Sequence, residues 1–237
     1  MEKIARNFQT IVFFPIYFIL KVIFNFKVVG QENLRGMKSE AVIFAANHTH
    51  PLDGIITAVA IAMPWNGFRV GEFLPVRYLA FEDYFRWVRF CWPFPFPISI
   101  LTALWFRLSA CISVRSRRKD EIDKISLEGI LINAIEALNK NQKVFIFPEG
   151  KMSEDGNLQR GKKGVACLQK KTSALIVPMG ITNSYKMFSF KNICASLMRK
   201  RKLVIKIGEP IKLFNPNPNR TLEDAADMVM EKISELL

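Results

Sequence analysis

The sequence predicts an α/β fold. Five short apolar runs have the length of buried strands: AVIFAA (41–46), SACISV (109–114), KVFIF (143–147), ALIVPMGI (174–181) and LVIKIG (203–208). Stretches of helical periodicity lie between them, and that alternation marks an α/β chain. At 237 residues, half of them hydrophobic, the chain can bury a sizeable core in one domain, and disorder is excluded.

The first element reads MEKIARNFQTIVFFPIYFILKVIFNFK. Its apolar run, Ile11 to Leu20, ends at Lys21 and is interrupted by Pro15. A bilayer span needs about 20 apolar residues, so the segment is expected to lie on a membrane rather than cross it. Phe8, Phe13, Phe14, Tyr17, Phe18, Phe24 and Phe26, flanked by Lys3, Arg6, Lys21 and Lys27, fit an interfacial helix. A buried core helix is the alternative. No small-residue cleavage site follows, so no secretory signal is expected.

After AVIFAA, GIITAVAIAM (54–63) reads as a helix. The stretch 90–106, FCWPFPFPISILTALWF, carries no charge, and its alternating prolines prevent a regular helix in its first half. Such a stretch either packs under the core or presents apolar surface to lipid. Leu127, Leu131, Ala134 and Leu138 recur at helical spacing over 127–140, and a short helix is expected around Val165 to Lys171. Asn215 to Asn219 is a loop. The chain then closes in a helix with Thr221 as N-cap, acids in the first turn and a stripe of Leu222, Ala226, Val229, Ile233 and Leu236.

The net charge of +13 suits nucleic acid, an anionic membrane or acidic small molecules. There is no helix-turn-helix, aromatic RNA-binding signature or zinc finger. The basic clusters (Arg115 to Lys119, Lys162 and Lys163, Lys170 and Lys171, Arg199 to Lys202) accompany aromatics, which points to a membrane surface and away from nucleic acid. Cys91, Cys111, Cys167 and Cys194 stand singly, as reduced thiols of a cytosolic compartment do, with no metal-binding spacing.

Both histidines sit in NHTHPLDG (47–54). On a continuous helix His48 and Asp53 would point about 140° apart, so a turn is needed for them to meet. Pro51 supplies it: with Pro51 at the first helical position, His50 is the cap and Asp53 the third residue, placed to reach back as in a capping box. A carboxylate on one imidazole nitrogen leaves the other free as a base. The residues alone keep three roles open: proton transfer, a His-x-His metal site, or a structural cap.

A second loop, FPEGKMSEDG (147–156), follows a strand in the same way and sets Glu149 and Gly150 at its end. Together, NH-x4-D and FPEG resemble the glycerolipid acyltransferase family, best known from lysophosphatidic acid (1-acylglycerol-3-phosphate) acyltransferases. VVGQENL resembles the family's entry strand, ISVR its second motif and IVPMGI its fourth, so the likeness runs from about Val28 to Leu237. It implies a single domain, 28–237, with a mixed central β-sheet flanked by helices, after a membrane-associating segment, 1–27.

The resemblance also implies the chemistry. An acyl group passes from a thioester, acyl-CoA or acyl-carrier protein, to a glycerol hydroxyl of lysophosphatidic acid or a related lysophospholipid, in phospholipid biosynthesis at the cytoplasmic face of a membrane. His48 is the general base and Asp53 orients it. Arg115, Glu149, Gly150, Lys151 and Ser153 match the acceptor-binding positions. No metal and no cofactor beyond the acyl donor are implied. A thioester is already activated, and consistently the chain has no G-x-S-x-G elbow. The apolar stretch 90–106 or the N-terminal helix is expected to supply the acyl groove.

Two departures stand out. The third motif is often EGTR followed by Ser, whereas this chain has Met152 at the arginine; Lys151, Arg160, Lys162 or Lys163 offers charge but no fork. His50 stands where a small Ser is common. Glycerol 3-phosphate or another lysolipid therefore stays open as acceptor. So do a non-catalytic lipid-binding protein and a metal-dependent hydrolase using His48, His50, Asp53 and Glu149.

Overall fold

The structure is a computed structural model, described here for residues 2–63, 71–81, 106–114, 126–214 and 217–237. Its centre is a seven-stranded mixed sheet in the order β1-β7-β6-β2-β5-β3-β4. The strands are β1 (Lys27–Val29), β2 (Val42–Ala46), β3 (Val76–Phe81), β4 (Ile112–Val114), β5 (Lys143–Ile146), β6 (Leu175–Thr182) and β7 (Val204–Ile207). The helices are α1 (Glu2–Phe24), α2 (Asp53–Ala62), α3 (Leu127–Asn139), α4 (Gly164–Thr172), α5 (Phe190–Leu197) and α6 (Leu222–Ser234). The expected α/β class and mixed, helix-flanked sheet are what is found.

β2 occupies the middle, and every residue in it is buried. It pairs parallel to β5 on one side (Ala45↔Ile146) and to β6 on the other (Ala46↔Met179). β7 runs antiparallel to β6, which makes the sheet mixed. Alternation along β2 divides the core in two. Val42, Phe44 and Ala46 pack into a cluster with α1 and α2, while Ile43 and Ala45 face one with α3, α4 and α6. A strand buried on both faces reads as a continuous apolar run, which is why AVIFAA was legible.

One expectation is corrected and one element runs further than its apolar stretch. α1 continues through Pro15 as one helix of 23 residues, long and apolar enough by length and composition to cross a membrane. An internal proline costs a helix about 3 kcal/mol. Packing on both sides of Pro15 holds the helix regardless, because Ala5, Gln9 and Phe13 before it and Leu20 and Phe24 after it are buried against the domain. Gln9 adds a backbone-like clamp, its amide donating to the carbonyls of Val76 and Ser109 and accepting from Val76 N–H. The strand expected over 109–114 is confined to Ile112–Val114, since Ala110 turns with φ +52°. β3 and α5 were not anticipated at all. The apolar stretch 90–106 lies outside the described residues up to 105, as does Arg115.

Candidate active site

The parallel strands β2, β5 and β6 end on one edge of the sheet, where α/β folds collect ligands. β2 delivers Asn47 to Asp53 there, and β5 delivers Phe147 to Ser153. The neighbouring β6 fixes the first loop, because the Asn47 side chain donates to the Ile181 carbonyl (3.0 Å) and accepts from Ile181 N–H (2.7 Å).

Asp53 organises the turn. Its Oδ2 accepts from Thr49 N–H and His50 N–H, each at 2.7 Å, and lies 3.2 Å from Nδ1 of His48. This is the expected reach back across Pro51, with one shift of detail: regular helix begins at Asp53, after a tight turn in which Asp53 N–H donates to the His50 carbonyl. Asp53 is fully buried, and its Oδ1 has no hydrogen-bond partner among the described residues. Among the side chains, the His48 ring is the one that the carboxylate contacts.

The His48 side chain is 20% exposed. Its ring stacks on Phe147, with centroids 4.0 Å apart and planes 12° apart. With Nδ1–H directed at Asp53, Nε2 carries the lone pair. Phe147 and the carboxylate hold the imidazole along two different directions. That is the arrangement of a positioned base.

Glu149 joins the two loops. Buried, it accepts from His48 N–H at Oε1 (2.8 Å) and from Gln159 N–H at Oε2 (3.1 Å). Burial raises its pKa, against the opposing pull of those two N–H groups. Ser153 returns the connection, its N–H donating to the His48 carbonyl at 2.7 Å. Its own hydroxyl donates to Asp155 and accepts from Gly156 N–H, so it is engaged within the loop.

Gly150 sits at φ +68°, where a Cβ would meet Lys162 Nζ at 2.7 Å. The glycine therefore lets the Lys162 chain lie across the loop. Lys151 and Met152 point outward and are exposed. Of the other basic candidates, Lys163 pairs with Glu223 and Arg160 approaches Asp227 at 3.9 Å. Lys151 and Lys162 remain as the cations of this loop without an ion pair among the described residues.

His50 stands beside the site. It accepts from Leu52 N–H at Nδ1 (3.2 Å), and its ring lies 5.3 Å from that of Phe188. Partial burial lowers its pKa, although Asp53 pulls the other way. Among the described residues, no group of three or more His, Cys, Asp and Glu side chains could hold a metal ion.

The structure thus brings His48, Asp53, Glu149, Gly150 and Ser153 together. The sequence did not single out Asn47 or Phe147, although both lie inside the quoted motifs and answer the question of what holds a loop after a buried strand. Lys162 was among the basic candidates, but its approach to Gly150 depends on tertiary structure.

A family model described as Acyltransferase matches residues 98–182, which include Glu149, Gly150 and β6 but not His48 or Asp53. No curated protein matches the sequence. Among solved structures, the chain is similar to the 1-acyl-sn-glycerophosphate (LPA) acyltransferase PlsC from Thermotoga maritima. The TM-score is 0.58 at 19% identity, over 99% of this chain and 78% of that one, a likeness of fold.

Proposed function

We propose that this chain, which a family model described as Acyltransferase matches over residues 98–182, transfers a fatty acyl group from a thioester to the glycerol hydroxyl of lysophosphatidic acid or a related lysophospholipid. The observation that carries this is the His48–Asp53 pair: a buried carboxylate 3.2 Å from Nδ1 of a partly exposed imidazole, at the carboxyl edge of the sheet. The fold shared with an enzyme that acylates lysophosphatidic acid supports the choice of acceptor.

In this mechanism Nε2 of His48 takes the acceptor's hydroxyl proton as its oxygen attacks the thioester carbonyl. Asp53 holds the ring and stabilises the imidazolium. The tetrahedral intermediate collapses by expelling the thiolate, which receives the proton from His48. Positioned base catalysis of this kind contributes about 10²- to 10⁴-fold. Glu149 is a positioning residue that fixes the backbone of His48. Lys151 and Lys162 supply positive charge for the acceptor's phosphate, with Arg115 the further candidate from the sequence. The donor is acyl-CoA or acyl-carrier protein, and no other cofactor is required. The reaction takes place at the cytoplasmic surface of a membrane, with α1 as the associating element.

The test is a panel: lysophosphatidic acid, other lysophospholipids and glycerol 3-phosphate, each with labelled acyl-CoA or acyl-carrier protein. The expected result is acceptor-dependent thiol release with phosphatidic acid formed fastest. Thiol release that ignores the acceptor contradicts the proposal.

A further inference from the structure

Segment 184–202 has no role in the chemistry above, yet it adjoins the site. Ser184 Oγ hydrogen-bonds to Thr49 Oγ1 in the His48 loop at 2.6 Å, and Phe188 packs beside His50. α5 rests against α1: the rings of Phe24 and Phe188 meet edge-on at 5.7 Å, and Asn25 donates to the Ser196 carbonyl while accepting from Arg199.

The outer side of α5 is apolar, with no partner among the described residues. Phe190 is 85% exposed, and Leu197 and Met198 are exposed beside it. Large exposed side chains of this kind are unusual in company, and they normally mark an interaction surface. Their neighbours are cationic. From Gly156 to Gly208 the chain contains no aspartate or glutamate. Lys191, Lys200 and Lys202 are exposed on α5 and its C-terminal flank, and Arg199 and Arg201 lie among them. Apolar side chains set among cations, with no acid for tens of residues, match an anionic lipid surface: the chains enter the acyl region while the ammonium groups meet phosphates.

We infer that residues 186–202, α5 with its basic flank, form a second lipid-docking surface beside α1, one that seats the His48 loop on an anionic phospholipid bilayer. α1 is marked by its own apolar sequence, whereas α5 is a short helix whose role comes from what it leaves exposed. The docking stands on exposure and charge. Its consequence for turnover, that a lipid acceptor reaches His48 past Phe188 without leaving the bilayer, rests on the acyltransferase reading.

The experiment uses the full chain and sedimentation with phosphatidylcholine vesicles, with and without phosphatidylglycerol. The parent protein is expected to prefer the anionic vesicles. Phe190→Asp should weaken that binding about tenfold or more, and Lys200→Ala and Lys202→Ala about fivefold each, with the lysine effects fading at high salt. Circular dichroism and melting should match the parent, since these side chains are exposed. Acyl transfer to vesicle-embedded lysophosphatidic acid should fall with binding, while transfer to a short-chain acceptor free in solution stays unchanged. Vesicle binding by all three variants equal to the parent's overturns the inference. Lost binding in a protein that acylates nothing upholds the docking surface and fails the acyltransferase reading instead.

Discussion

The two loops at the carboxyl edge of the sheet are built on opposite plans. In 47–53 nearly every polar group is committed: Asn47 to β6, Thr49 to Ser184, Asp53 to three donors. In 147–162 the buried residues Glu149 and Ser153 are engaged in holding loops together, while Lys151, Met152 and Lys162 stand at the surface. The first loop holds the His48 ring in one geometry. The second offers charge on flexible stems. On the proposed mechanism, reaction type is written into rigid, buried contacts, and acceptor choice into exposed ones that substitution can alter without unfolding the chain.

Substitutions separate the two plans. Asp53→Asn preserves shape but removes the charge that fixes the His48 tautomer, and kcat should fall about 10²- to 10⁴-fold with KM for the acceptor little changed. An equal fall in both loops' variants would erase the distinction. Glu149→Gln is next: an amide cannot accept from two N–H groups as a carboxylate does, so one buried donor loses its partner. The expected cost is about 1–3 kcal/mol of stability, read from denaturant unfolding, with a smaller loss of kcat. Lys162→Met keeps the apolar stem over Gly150 and removes only the ammonium. It should raise KM for a phosphate-bearing acceptor about three- to tenfold, leaving kcat and melting temperature near the parent's.

The smallest effect concerns His50. Its folded pKa is lowered, chiefly by burial, so its contribution to stability is present above the unfolded value of about 6.5 and is lost as pH falls through the folded value. His50→Asn retains an acceptor for Leu52 N–H and does not titrate. The parent's melting temperature should therefore decline more steeply than the variant's as pH is lowered from 6.5, and parallel curves would show that His50 is not linked to folding.

Much of this was legible in the residues. Strands buried on both faces, β2 and β6 above all, announce themselves as continuous apolar runs, and Thr221 caps α6 as its side chain suggests, accepting from Asp224 N–H. The turn that joins His48 to Asp53 was readable because Pro51 and a five-residue spacing leave few alternatives. β3 was hidden because VRYLAF, with Arg77 and Tyr78, mixes polar and apolar residues. α5 was hidden because its apolar side chains face outward, reversing the pattern by which helices are recognised. How far α1 runs past Pro15 was not legible either, because the burial of Gln9, Phe13 and Leu20 that holds it is tertiary. Contacts between distant segments, such as Glu149 with His48 or Lys162 over Gly150, have no local signature.

The central claim is that His48 is the base, and one measurement meets it directly: acceptor-dependent thiol release from an acyl thioester with lysophosphatidic acid, comparing the parent with His48→Ala. Circular dichroism of both proteins establishes that each is folded. The variant should lose about 10²- to 10⁴-fold in kcat while keeping its fold. A folded His48→Ala protein that turns over at the parent's rate would contradict it.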